Sequence, residues 1–306
     1  MKHGETYTST LHTHVHFDVY EPKVVLRTKA VILIHHDIGE NASRYENFAE
    51  YLLNQGFVVI VSDIAGHGRS LIDFEQGYFG TENALEHLMA DMHHLQNVIM
   101  QRYPDSPFFM MGAGLGDLLV RKYASIYGDY IQGVLLLSPI RKVSYRFERQ
   151  LRLTFLKALK GARYHPVGHI MKFRKKLSKG LGGHTYDWMT HDEKVKERIA
   201  NDAMTNFSYT VQGYQDLLRI IKEVNSFDTI MKTPTYLSMF LGAGDEDPLT
   251  HHGADAKAIT IEYKNHGVRD LTLKMYKERR HALLFDKDKK EVYQDIVAWL
   301  NERTYL

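Results

Sequence analysis

The sequence predicts an α/β protein with a mostly parallel central sheet, flanked by helices and interrupted by one helical insertion. Short runs at 30–34, 57–61, 108–111 and 133–137 are apolar throughout, as strands buried on both faces are. Helical periodicity separates them, the alternation that builds a parallel sheet covered on both sides. From 141 to 227 the rhythm breaks into basic, aromatic, helical sequence, and it resumes after Thr233. The division expected is a core of 1–140 and 228–306 carrying an insertion at 141–227.

In chain order, residues 5–20 alternate polar and apolar through Tyr7, Leu11, Val15, Phe17 and Val19, which predicts an antiparallel pair at a sheet edge. His12, His14, His16 and Asp18 would share one face. A solvent-facing row outweighs a metal site, because side chains spaced along one strand do not converge on one ion. A helix over 45–54 ends at Gly56. Thr81 is placed to cap a helix that carries Leu85, Leu88, Met92, Leu95 and Ile99 on one face and reaches Arg102. The strand from Phe108 meets the glycines 112, 114 and 116, and a helix follows to Tyr127. Beyond the insertion come a strand at 234–241, a helix at 254–265, a strand at 271–276 and a helix at 289–301.

The chain has 306 residues, no cysteine and no run approaching eighteen apolar residues. Those features, with no apolar N-terminal stretch, predict a soluble cytoplasmic protein without disulfides or a thiolate nucleophile. Net charge is +2, yet thirteen Lys and Arg face a single acid, Glu148, between Arg141 and Gly183. Such asymmetry points to an anionic partner or to a solvated basic face. Phe147, Leu151, Phe155 and Leu159 recur every four residues among these charges. The pattern fits a helix resting on an anionic membrane, with an apolar stripe packed on the core slightly favoured. No nucleic-acid motif accompanies the charge.

Strand, glycine turn and helix form the setting of a nucleophile elbow, Gly-x-Ser-x-Gly, in which Gly114 takes the serine place. Four further stretches join it. His-Asp-Ile-Gly-Glu-Asn-Ala-Ser-Arg-Tyr at 36–45 is similar to His-Gly-x-Gly-Glu-His-Ser-x-Arg-Tyr, and Asp-Ile-Ala-Gly-His-Gly-Arg-Ser at 63–70 to Asp-x-x-Gly-His-Gly-x-Ser. Gly-Asp-Glu-Asp-Pro at 244–248 and Tyr-Lys-Glu-Arg-Arg-His at 276–281 resemble an acid loop and a His loop. In this order they resemble the α/β-hydrolase superfamily, in its lysophospholipase and monoacylglycerol-lipase-like branch.

The resemblance implies an α/β-hydrolase fold with a helical cap, carboxylic ester hydrolysis and no cofactor or metal. It assigns the acid to Asp247, the general base to His281, the vacated nucleophile place to Gly114 and the oxyanion-hole N–H groups to Ile38 and Leu115. The chain departs from the pattern at the chemistry: besides Gly114, Asp37 stands for Gly, Ala113 for His, and Ala282 for Glu. Without an attacking atom covalent acyl transfer fails, although binding and the oxyanion hole can retain roughly 10³-fold assistance over water. Changes at four positions favour natural loss over deliberate replacement.

Three readings follow. One is an impaired relative that binds a small lipid or ester under the cap, its Ile38 and Leu115 amides free for an anion, a water or a carboxylate. The second is an active hydrolase of lipid esters with another nucleophile or a water-based mechanism, for which Asp117, one helical turn past Gly114, is the first residue to test. The third is a partner-binding protein that uses its basic cap.

Overall fold

The computed structural model describes residues 1–23, 28–80, 82–141 and 147–304, apart from the side chains of 147–150, 169 and 170. One eight-stranded sheet has the order β1-β2-β4-β3-β5-β6-β7-β8. These are β1 Lys2–Thr8, β2 His14–Tyr20, β3 Val31–His35, β4 Val58–Ser62, β5 Phe108–Ala113, β6 Gly133–Leu137, β7 Ser238–Gly244 and β8 Leu271–Tyr276. Pairing is antiparallel from β1 to β2 and from β2 to β4, and parallel elsewhere. The α/β-hydrolase architecture expected from sequence is the one observed.

Burial explains the apolar runs. Every residue of β3, β4 and β6 is buried. One cluster, with Leu33, Ile60, Met110 and Leu136, lies on one face; a second, with Ile34, Val61, Met111 and Leu135, lies on the other. Alternate residues of each strand feed opposite layers. The flanking helices are α1 Glu46–Asn54, α2 Ala84–Arg102, α3 Leu115–Tyr127, α9 Ala254–His266 and α10 Lys289–Asn301. Between β6 and β7 the described residues form five more, α4 Phe147–Lys160, α5 Val167–Leu177, α6 Glu193–Asn201, α7 Val211–Val224 and α8 Phe227–Lys232.

Four local expectations change. Helix α2 begins after Asn83, while Thr81 lies outside the described residues. Strand β7 starts at Ser238, because Leu237 N–H closes a turn onto the Pro234 carbonyl. His12 leaves the edge row: it sits at φ 57° in the turn between β1 and β2, and Asp18 is buried against Arg69 at 3.0 Å.

The apolar stripe of α4 also differs. Leu153 faces inward, while Leu151, Phe155 and Leu159 are 60%, 64% and 63% exposed, and Phe147 lies among the residues whose side chains are not described. The helix has apolar residues on two sides, and packing against α7 selected the other one.

Candidate functional site

Parallel strands end together, so the loops after β3, β5, β7 and β8 gather at one edge of the sheet. Gly114, between β5 and α3, has φ 51° and ψ −105°. That is a turn open to glycine and costly for other residues. The bend is also tight around its neighbours. A Cβ on Gly112 would stand 2.2 Å from the Gly116 carbonyl, and one on Gly116 2.0 Å from the His35 carbonyl. Glycines at these places let α3 start directly against β3.

The loop after β3 aims Asp37 into this bend. His36 donates from Nδ1 to the Asp37 carbonyl (2.8 Å) and accepts the Ile64 N–H at Nε2 (3.0 Å), while Glu40 accepts the Asp37 N–H at 3.2 Å and the Tyr45 hydroxyl at 2.7 Å. Asp37 Oδ1 then accepts the N–H groups of Ile38 at 2.6 Å and Leu115 at 2.8 Å. Oδ2 lies 2.9 Å from His281 Nε2. The two amides expected to be free are therefore taken by the protein's own carboxylate. A Cβ built on Gly114 would fall 1.7 Å from Asp37 Oδ1, so the carboxylate occupies the space a side chain at 114 needs.

On its other side, His281 Nδ1 lies 2.7 Å from Asp247 Oδ2, and Asp247 also accepts Leu249 N–H at 2.9 Å and Thr250 Oγ1 at 2.7 Å. Both ring nitrogens face carboxylate oxygens, which only accept, so both carry protons. Burial works against that charge, but Asp247 and then Asp37 outweigh it and hold the imidazole's pKa well above its ordinary value. An imidazolium already bonded on both sides has no free nitrogen with which to take a proton.

The gap bordering Asp37, Ala113, Ser138, His281 and Ala282 is about 10 Å³, room for one water at most. Trp188, in the chain between β6 and β7, has its ring centroid 5.2 Å from that of His281, and the Ala282 N–H is tied to the Met189 carbonyl at 2.8 Å. Ser138 Oγ donates to the His281 carbonyl at 2.5 Å. No sequence motif marked Trp188 or Ser138.

Asp117 is not brought into this site. It is fully buried and pairs with Arg121, Oδ2 to Nη2 at 2.9 Å, while accepting the Ile140 N–H at 3.2 Å. Its partner four residues on, one helical turn away, turns it from the bend. Arg121 also reaches Asn225 at 3.0 Å and the Ile140 carbonyl at 2.7 Å, so the pair clamps α3 to α7 and to the segment after β6. No group of three or more His, Asp or Glu among the described residues could hold a metal ion.

Comparisons with known proteins agree with the fold. The signature of the family described as "Serine aminopeptidase, S33" matches residues 27–288. A monoglyceride lipase homolog of Monkeypox virus is 24% identical over 292 residues, 92% of each chain. Phospholipase YtpA of Bacillus subtilis (strain 168) is 24% identical over 285 residues, 90% of this chain and 96% of its own. A thermostable carboxyl esterase from Bacillus coagulans superposes with a TM-score of 0.89 at 22% identity, covering 98% of both chains.

Proposed function

The chain belongs to the serine aminopeptidase S33 family of α/β-hydrolases, and we propose that it is a non-hydrolysing member that binds a lipid or ester without turning it over. One observation carries this reading: Asp37 fills the place of both the attacking side chain and the developing oxyanion. Ester hydrolysis needs a nucleophile, a base able to take its proton, and donors for the tetrahedral oxygen. Gly114 supplies no attacking atom, His281 is already doubly protonated, and the Ile38 and Leu115 amides already hold an anion. A substrate carbonyl entering there would displace a carboxylate held by three donors.

The insertion supports action at a membrane. Leu151, Phe155 and Leu159 stand in solvent on α4, with exposed Arg152, Lys160, Lys172, Lys175 and Lys176 on α4 and α5. An outward apolar stripe amid cations fits an anionic lipid surface. None of the described helices is long and apolar enough to cross a membrane.

Incubation with a fluorophosphonate probe and a short-chain ester tests the reading. No labelling and no turnover above a heat-treated control are expected. Labelling at a defined serine would make it an active hydrolase instead.

A further inference from the structure

The described residues line a larger cavity, about 430 Å³, between segment 71–76 of the core and α5 with residues 206–208. This is the size of a small-molecule site. Its walls are largely apolar, with Leu71, Phe74, Val167, Met171 and Phe207. Arg174 lines it too, and is 7% exposed. The guanidinium lies over the Tyr186 ring at 4.8 Å, donates from Nη1 to Tyr186 Oη at 2.6 Å and Asn206 Oδ1 at 2.8 Å, and from Nη2 to the Phe207 carbonyl at 3.4 Å.

All these partners are neutral. Among the described residues no carboxylate forms an ion pair with Arg174, and the acid that shares the cavity, Glu75, is 2.6 Å from His165 Nε2. Buried charges are ordinarily paired, because neutral hydrogen bonds recover only part of the lost hydration. A cation left this way at the wall of an apolar cavity is a site short of an anion.

The rim points to an apolar occupant. Phe74 is 95% exposed, and Asp73 and Phe74 both hold positive φ, 50° and 62°, which costs energy at residues other than glycine. Val167 and Met171 open to solvent beside it. The cavity shares no lining residue with the gap beside His281 and connects to its neighbourhood through a chain of rings. Phe207 stands edge-on to His67 at 5.5 Å, and His67 to His36 at 5.0 Å, immediately before Asp37.

We propose that this cavity binds a single-chain anionic amphiphile, its carboxylate or phosphate head on Arg174 and its chain along Leu71, Phe74, Val167 and Met171. The inference rests on the lipid-binding reading above and names its ligand class. Binding here requires neither a nucleophile nor an open oxyanion hole.

Titration calorimetry of the full chain with dodecanoate, monododecyl phosphate, dodecanol and monododecanoylglycerol tests it. At least one of the two anions should bind at least tenfold more tightly than dodecanol, and which one does so identifies the head group. Arg174→Gln should remove that preference, Arg174→Lys should keep part of it, and Val167→Trp, at an exposed rim position, should weaken every ligand. Dodecanol binding as tightly as both anions, or a preference that survives Arg174→Gln, would overturn the head-group assignment and leave lipid binding standing. If none of the four compounds binds, the lipid-binding reading falls with it.

Discussion

The Gly114 bend and the Arg174 cavity are opposite solutions to burying charge. At the bend two carboxylates, an imidazolium and two backbone amides satisfy one another in a space with no room for a ligand. In the cavity one guanidinium sits beside about 430 Å³ of largely apolar space with neutral partners alone. The first is complete without a ligand and the second is not. On the reading proposed above, a hydrolase-like frame gives its reaction centre over to an internal ion network while another part of the molecule keeps the features of a binding site.

The largest effects should come from breaking the closed network. Asp247→Ala leaves His281 without one of its two carboxylate partners and should cost about 3–5 kcal/mol in chemical denaturation, the range for removing one member of a buried pair. Asp117→Ala should cost a similar amount through Arg121, with no effect on any labelling chemistry, which separates a clamp from a catalytic acid.

Gly114→Ser is the sharper test. Alone it meets Asp37 Oδ1 and an unfavourable φ, so it should lose about 2–4 kcal/mol and remain unlabelled by a fluorophosphonate. Paired with Asp37→Gly it should recover stability and label. Equal labelling of the single and double variants would mean that Asp37 does not close the site.

The pH dependence is a smaller effect. His281 has a folded pKa raised above its unfolded value of about 6.5, so its stabilisation is complete below that value and is lost as pH rises through the folded pKa. Denaturation midpoints should fall on the alkaline side of neutrality. Asp37→Asn should move the His281 ring titration, followed by NMR, to lower pH.

The smallest effect on stability is expected on α4. Changed singly to Ser, Leu151, Phe155 and Leu159 should each shift stability by no more than about 0.5 kcal/mol, and the triple variant should stay folded. The same variant should lose salt-sensitive cosedimentation with vesicles containing anionic lipid. Unchanged cosedimentation would remove the membrane contact from the reading.

Much of the frame was legible in the sequence. The strands at 30–34, 57–61 and 133–137 announce themselves because a parallel strand buried on both faces has no polar positions, and Gly112 and Gly116 mark a turn where backbones nearly touch. The α4 stripe favoured for the core turned out exposed, because Leu151, Phe155, Leu159 and Leu153 form two apolar lines on one helix and periodicity does not say which meets the core. Arg174 was hidden among thirteen basic residues, since its burial depends on Tyr186 and Asn206, 12 and 32 positions away.

By itself the sequence determined the order of strands and helices, the glycine turn and the absence of a hydroxyl at 114, since these follow from local periodicity and residue identity. Only the tertiary structure decided where Asp37 points and what it does. Its carboxylate meets amides at 38 and 115 and the imidazole at 281. Groups 78 and 244 positions away in the chain become neighbours once the parallel strands end together at one edge of the sheet.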